Sequence, residues 1–245
     1  MTFFYVITTF AGIGEETGIK EIPVFNYITG RFDPSRHVDF INLKKTTIPC
    51  TGEMYLRKET VRALKLLLDD FKKEHKNITI QVVSATRNFY SQKSIWDKKW
   101  TGKRKISNIS DINKITDPLQ KSLKILEYSS MPGTSRHHWG TDFDINQLNN
   151  TYYTKGEGLI IYQWLKKNAN KHGFAQPYTE QRTEGYKEEK WHWSYLPLAK
   201  IYLKEWNSAY NNNPDLFTEP GLFFGSEVSG HLSPKYVNSI NPESK

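Results

Sequence analysis

The sequence predicts an α+β domain in which helices and short strands are mixed. Three features point there. Two long segments carry apolar residues at helical spacing, the strand-like runs are short, and turn residues separate them. This order does not suit a doubly wound parallel sheet, which needs strands and helices in regular alternation. At 245 residues the chain is long enough for one well-cored domain. We therefore expect a single domain over 1–245, with 1–50 an N-terminal extension or trimmed signal region and 211–245 a C-terminal extension.

The elements follow in order. Residues 59–75 read as an amphipathic helix, with Val61, Leu64, Leu68 and Phe71 on one face and Lys72 and Lys73 suiting its C-terminal end. A strand rich in β-branched residues is expected over 78–84. Shorter helices are expected over 92–100 and 118–128, the second with Pro118 in its first turn. A turn at Met131-Pro132-Gly133 opens a loop reaching Gly140, and a short strand follows over 141–145. The second strong helix spans 157–172 and is closed by Gly173. A polar hairpin over 179–187 leads to a strand over 191–195 and a helix from 196 to about 210. The run Asn211-Asn212-Asn213-Pro214 breaks that helix, and the tail beyond it is rich in Gly, Pro and Ser.

Composition narrows the classes. A hydrophobic share of 37% and an aromatic share of 14% suit a folded globular chain and not a disordered one. Most of the seven Trp are expected to be packing residues. The single cysteine, Cys50, rules out an intrachain disulfide and a multi-Cys zinc finger, and is expected to be an ordinary loop residue. A formal charge of +8 is compatible with nucleic acid, anionic lipid or anionic wall polymers. The basic residues are spread along the chain with no dense block, so a solvated Lys-rich surface is expected and nucleic-acid binding is not. Residues 2–12 form an apolar run followed by Glu15 and Glu16, with neither a basic leader nor a clear cleavage site. It reads as a short signal core, the remainder of a longer signal, or a first strand. Nothing else approaches a transmembrane helix in length, so stable membrane insertion is not expected.

Two segments carry the chemistry: Ser135-Arg136-His137-His138-Trp139-Gly140-Thr141-Asp142-Phe143-Asp144, and Glu189-Lys190-Trp191-His192-Trp193. A catalytic zinc site needs three His or carboxylate ligands with an open position for water. It also needs a carboxylate off the metal to take that water's proton. His137, Asp144 and His192 can fill the first role and Glu189 the second. Gly140 permits a sharp change of direction between His137 and Asp144. Asp142 and Asp144 share a strand face, so parity alone leaves either as the ligand. Glu189 and His192, three apart, would face opposite ways on a regular strand. A turn, bulge or strand start must therefore lie at Glu189 if both point into one site.

These segments resemble the paired signatures of the VanY-type D-alanyl-D-alanine carboxypeptidases, zinc peptidases that share a fold with the hedgehog signalling domain. Ser135, His137, Gly140, Asp144, Glu189, Trp191 and His192 match that pattern position by position. Ser84-Ala85-Thr86-Arg87 followed by Gln92 resembles the family's upstream element, in which an Arg ends a strand. The likeness in motifs runs from about residue 84 to residue 195. It implies a hedgehog/DD-peptidase-like domain, a small antiparallel sheet flanked by helices, with a Zn2+ site at His137, Asp144 and His192. Glu189 would be general base and then general acid. Arg87 would hydrogen-bond the scissile carbonyl or the substrate carboxylate, and Ser135, with Gln92 nearby, would help to position the substrate. Two positions depart from the pattern: Asp142 stands where a small apolar residue is commoner, adding negative potential beside the metal, and His138 is extra and expected to be exposed.

The resemblance implies hydrolysis of peptidoglycan stem peptides outside the cytoplasm, in the periplasm or cell envelope. Removal of a terminal D-Ala is the leading reading. A D-Ala-D-Ala dipeptidase and an L-Ala-D-Glu endopeptidase share its chemistry. A non-catalytic zinc-bearing binding module and a basic wall- or nucleic-acid-binding protein are the readings from other classes. Retention of Glu189 and Arg87 argues against the binding module.

Overall fold

The computed structural model describes residues 22–106 and 109–245, so the apolar run over 2–12 lies outside the described residues. In chain order the elements are α1 (Val24–Ile28), β1 (Phe40–Asn42), β2 (Tyr55–Arg57), α2 (Lys58–Glu74), β3 (Val82–Ser84), α3 (Phe89–Trp100) and α4 (Pro118–Ile125). Then come β4 (Asp142–Ile145), α5 (Gly156–Asn168), β5 (Phe174–Ala175), β6 (His192–Tyr195), α6 (Leu196–Asn212), α7 (Ser226–Ser229) and α8 (Ser233–Asn238). The architecture is the mixed α+β arrangement expected from sequence. No helix of the described residues is long and apolar enough to cross a membrane.

The central sheet has the order β3-β4-β6-β5, all antiparallel, and β1 and β2 form a separate two-stranded ribbon. Strand parity divides the central sheet into two chemical faces. Phe143, Ile145 and Trp193 point to a core built with Leu64, Leu67 and Phe71 of α2 and with Trp164 and Leu165 of α5. The opposite face carries Asp142, Asp144, His192 and Ser194, all buried. Register sets them in cross-strand pairs: Asp144 faces His192, and Asp142 faces Ser194.

Several elements differ from their expected extents. The strand expected over 78–84 forms only at Val82–Ser84, where β4 supplies a ladder partner. Before it, the backbone of Thr79 and Gln81 is engaged by Asn146 instead. The helix expected over 157–172 is α-helical to Asn168 and tightens into a 3-10 turn over Ala169–His172, capped by Gly173 at φ 79°. No ladder forms over 179–187. There the Arg182 guanidinium takes the carbonyls of Glu184 and Tyr186, at 3.1 and 2.6 Å, and also that of the distant Ser239, at 2.7 Å.

Both flanks pack against the centre. Tyr27, Ile28 and Phe40 share a buried cluster with Trp96, Trp139 and Trp206. Phe217, Phe223, Tyr236 and Val237, from the Gly/Pro/Ser-rich tail, join the same cluster. Trp96 donates its indole N–H to the Phe224 carbonyl at 2.8 Å, tying α3 to that tail.

Gly140 shows why the loop before β4 turns where it does. It closes a 3-10 turn, Arg136–Trp139, at φ 73°. A Cβ there would stand 2.5 Å from the Phe40 ring. Its carbonyl accepts the Arg57 N–H at 3.0 Å, pinning the turn to β2. Gly140→Ala is expected to cost about 2 kcal/mol from the left-handed backbone alone, lowering the melting temperature by roughly 4–8 °C. Thermal denaturation followed by circular dichroism checks this, and an unchanged midpoint would contradict it.

Candidate metal centre

The sheet's polar face and the turn before β4 bring three predicted residues together. Ligand atoms of His137, Asp144 and His192 lie within 4.8 Å of one another, all buried. Asp144 Oδ1 is 3.4 Å from His137 Nε2 and 3.0 Å from His192 Nδ1. The two imidazoles meet edge to face, with centroids 4.7 Å apart. Of the two carboxylates that parity left open, register places Asp144 opposite His192 and within this cluster.

Local structure aims each imidazole. His137 sits on the 3-10 turn, and its Nδ1 bonds the Ala85 carbonyl at 2.8 Å where the chain leaves β3. That bond leaves Nε2 as the free lone pair facing Asp144. His137 Nε2 and Asp144 Oδ1 have no hydrogen-bond partner among the described residues. Buried polar atoms are rarely left so, and a metal ligand set is one reason for it. Burial pulls the His192 imidazole down, but Asp142 and Asp144 outweigh it and raise it to about 9. Asp144 is held well below the usual carboxylate range, its burial overcome by the two imidazoles. The cluster thus favours positive charge among its three ligand atoms, and a divalent cation would supply it. The donor set fits a metal of the zinc type: two imidazole nitrogens and one carboxylate oxygen.

Glu189 meets the requirement set by its spacing. It lies before β6 on a turn closed by the His192 N–H to the Glu189 carbonyl at 3.2 Å. The turn swings its carboxylate to the His192 side, with Oε2 3.6 Å from Nδ1. Burial, reinforced by Asp144, raises Glu189 to about 8 against the opposing pull of His192, Arg87 and Lys99. A divalent cation nearby would favour the carboxylate form.

Glu189, His137 and His192 open onto one pocket with Arg87, Gln92, Ser129 and Tyr178. Other buried polar atoms near the centre also have no hydrogen-bond partner among the described residues, among them Arg87 Nε, Gln92 Oε1 and Ser135 Oγ. Gln92 is anchored by its amide N–H to the Ser130 carbonyl at 2.7 Å. Ser135 opens the 3-10 turn without capping it, which frees its hydroxyl.

His138 departs from expectation. It is fully buried, in room that Gly30 leaves: a Cβ there would stand 2.4 Å from the His138 ring. The Gly133 N–H donates to its Nε2 at 3.1 Å, so its Nδ1–H donates to the Arg87 carbonyl at 2.6 Å. Burial lowers this imidazole to about 3, so it is neutral. The Arg87 N–H in turn donates to the His137 carbonyl at 3.1 Å, so the paired histidines grip the Arg87 backbone from both sides. Asp142 does add negative charge beside the centre, since it helps to raise His192, but that charge is balanced. It is ion-paired with Arg136 at 2.9 Å in a fully buried contact.

Sequence reasoning missed Tyr178, which lines the pocket, and Lys99, which bonds a residue that does. The Tyr178 ring packs on His192 at 4.8 Å, and Lys99 donates from Nζ to Ser129 Oγ at 2.5 Å. Burial and Arg104 lower Lys99 to about 8. Neither residue lies in a spaced motif, so no sequence signal marked them.

The comparisons bear on this geometry. A family model described as VanY, D-alanyl-D-alanine carboxypeptidase, matches residues 53–198. The YodJ protein of Bacillus subtilis (strain 168) is 29% identical over 150 residues, covering 58% of this chain and 46% of that protein. A D-alanyl-D-alanine carboxypeptidase of Enterococcus faecalis is 36% identical over 78 residues, covering 30% and 28% respectively. The match thus spans less than half the length of these curated relatives. Among solved structures, VanYB in complex with D-alanine-D-alanine has a TM-score of 0.51 at 23% identity, covering 72% of this chain and 90% of that one. The LdcB LD-carboxypeptidase has a TM-score of 0.50 at 24% identity, covering 71% and 74%. These likenesses place the fold, and the family match spans more than half the chain and includes both signature segments. The chain belongs to the VanY D-alanyl-D-alanine carboxypeptidase family.

Proposed function

We propose that the protein is a zinc-dependent carboxypeptidase that removes the terminal D-Ala from peptidoglycan stem peptides. One observation carries this reading: a buried His–Asp–His cluster and an off-cluster glutamate open together onto a pocket containing an arginine. His137 through Nε2, His192 through Nδ1 and Asp144 through Oδ1 would hold the ion. Zinc bound there supplies Lewis acidity and brings the pKa of water to about 7.

The chain's own groups do the rest. Glu189 takes the water's proton on its carboxylate and returns it to the departing amine. Its place on the turn, off the metal's ligand set, leaves both oxygens available for that transfer. Arg87 stabilises the charge growing on the scissile carbonyl oxygen, and its unpartnered Nε is available for it. Ser135 and Gln92 orient the substrate end with the hydroxyl and amide oxygen that the fold leaves unsatisfied.

A cation lining the pocket, Arg87, with Lys99 bonded to its Ser129 hydroxyl, supports a substrate that ends in a free carboxylate. A D-Ala-D-Ala dipeptidase or an L-Ala-D-Glu endopeptidase would use the same centre on a differently placed bond. The substrate class implies action outside the cytoplasm, in the periplasm or cell envelope.

Two outcomes are expected. Glu189→Gln keeps stoichiometric zinc while kcat/KM falls by roughly 10²- to 10⁴-fold. His192→Ala loses both zinc and activity. Elemental analysis beside rate measurements checks the pair, and wild-type activity in the Glu189 variant would remove the proposed base. Mass spectrometry of products from a defined muropeptide pentapeptide is expected to find free D-Ala. Released D-Ala-D-Ala, or cleavage within the stem, would replace the carboxypeptidase reading with one of its relatives. No cleavage by zinc-loaded protein would favour a binding module.

A further inference from the structure

The centre's least expected residue is Asp142, a carboxylate where the family pattern favours a small apolar side chain. It is fully buried, on the same face as Asp144 and two residues before it. Its four contacts are directional. Oδ2 accepts from Arg136 Nε at 2.9 Å and bonds His192 Nε2 at 2.9 Å. Oδ1 accepts from Thr141 Oγ1 at 2.6 Å and from Ser194 Oγ at 2.8 Å.

The Ser194 hydroxyl cannot point elsewhere. Arg136 Nη2 donates to that oxygen at 2.7 Å, so the Ser194 proton goes to Asp142. The carboxylate beside a buried guanidinium is ionised, and an ionised carboxylate only accepts. His192 must therefore carry a proton on Nε2. In the neutral imidazole this makes Nδ1 the bare lone pair, aimed at Asp144.

We propose that Asp142, held by Arg136, Thr141 and Ser194, is a positioning residue that locks His192 in the Nε2–H tautomer and so presents Nδ1 to the metal. The inference rests on the reading of His137, Asp144 and His192 as the zinc ligands. It assigns Arg136 a part as well. Its guanidinium stacks over the Trp139 ring at 4.8 Å and bridges Asp142 to Ser194 across the β4–β6 ladder. His137 has its counterpart in the Ala85 carbonyl, so each imidazole would be oriented by an acceptor of a different kind. Outer partners of this sort typically tune metal affinity by 10- to 100-fold.

Asp142→Asn is the informative change, because its amide can offer Nε2 a donor and favour the opposite tautomer. Zinc affinity of the full chain is measured by competition with a chromophoric chelator. The variant is expected to bind zinc roughly 10- to 100-fold more weakly than wild type. Ser194→Ala, which leaves the Asp142–His192 contact in place, is expected to lose less. Nitrogen-15 imidazole spectra of the zinc-loaded wild type are expected to put the His192 proton on Nε2 and the metal on Nδ1. This reading is independent of whether the Asn variant folds. Unchanged zinc affinity in a folded Asp142→Asn protein, or a wild-type proton on Nδ1, would overturn the proposal and leave the zinc site standing. A wild-type chain that binds no stoichiometric zinc would overturn the zinc site and this inference together.

Discussion

The antiparallel register of β4 against β6 is the constraint on which the rest depends. It sets Asp144 opposite His192 and Asp142 opposite Ser194 on one face of the sheet. Side chains alternate at every residue, so a slip of one position would turn that whole set into the apolar core and bring Phe143 and Trp193 into the site. The core resists such a slip. Phe143 packs edge to face on Phe174 of the outer strand at 5.5 Å, and α2 and α5 close over the same side. The hydrophobic layer fixes the polar layer because the two are the odd and even residues of the same strands.

That polar layer is costly to bury. Asp142, Asp144, Glu189 and Arg136 all lie buried near two imidazoles, with Arg87 half-buried beside them. Buried ionised groups need partners with good geometry, or the desolvation cost exceeds what their attraction returns. The chain meets this unevenly. Asp142 has four partners, whereas His137 Nε2, Asp144 Oδ1 and Arg87 Nε have no hydrogen-bond partner among the described residues. Asp142 belongs to the frame, and those three unsatisfied atoms are given work on metal or substrate in the proposed mechanism. Such a split is expected where stability is traded for a prepared site.

Zinc chemistry admits few residue types and two short segments held the candidates, but it was the resemblance to the VanY pattern that implied His137, Asp144 and His192. Register was not legible. Parity shows that Asp142 and Asp144 share a face, but which of them joins both histidines depends on pairing with the distant strand β6. His138 was misread for a similar reason. A histidine in a polar run looks solvated, and its burial depends on Gly30, distant in the chain, having no side chain. The helices were largely legible from their periodicity. The strand over 78–84 was overextended because β-propensity is local while ladder partners are not. No ladder forms over 179–187, where one guanidinium binds the Glu184 and Tyr186 carbonyls, a contact that no pattern of turn residues reveals.

The pocket walls come from different material than the metal cluster. Tyr128, Ser129 and Ser130 follow α4, and Tyr178 and Tyr186 belong to the loop between β5 and β6. These two loops are tied to each other: Lys187 bonds the Glu127 carbonyl at 2.9 Å through its N–H and the Glu127 carboxylate at 2.8 Å through Nζ. Loops tolerate sequence change that paired strands do not. On the proposed reading, the bond to be cut would therefore be chosen by the loops while the ladder keeps the ion and its base in place. One family can then serve several wall peptides without disturbing the Asp144–His192 pair at its centre.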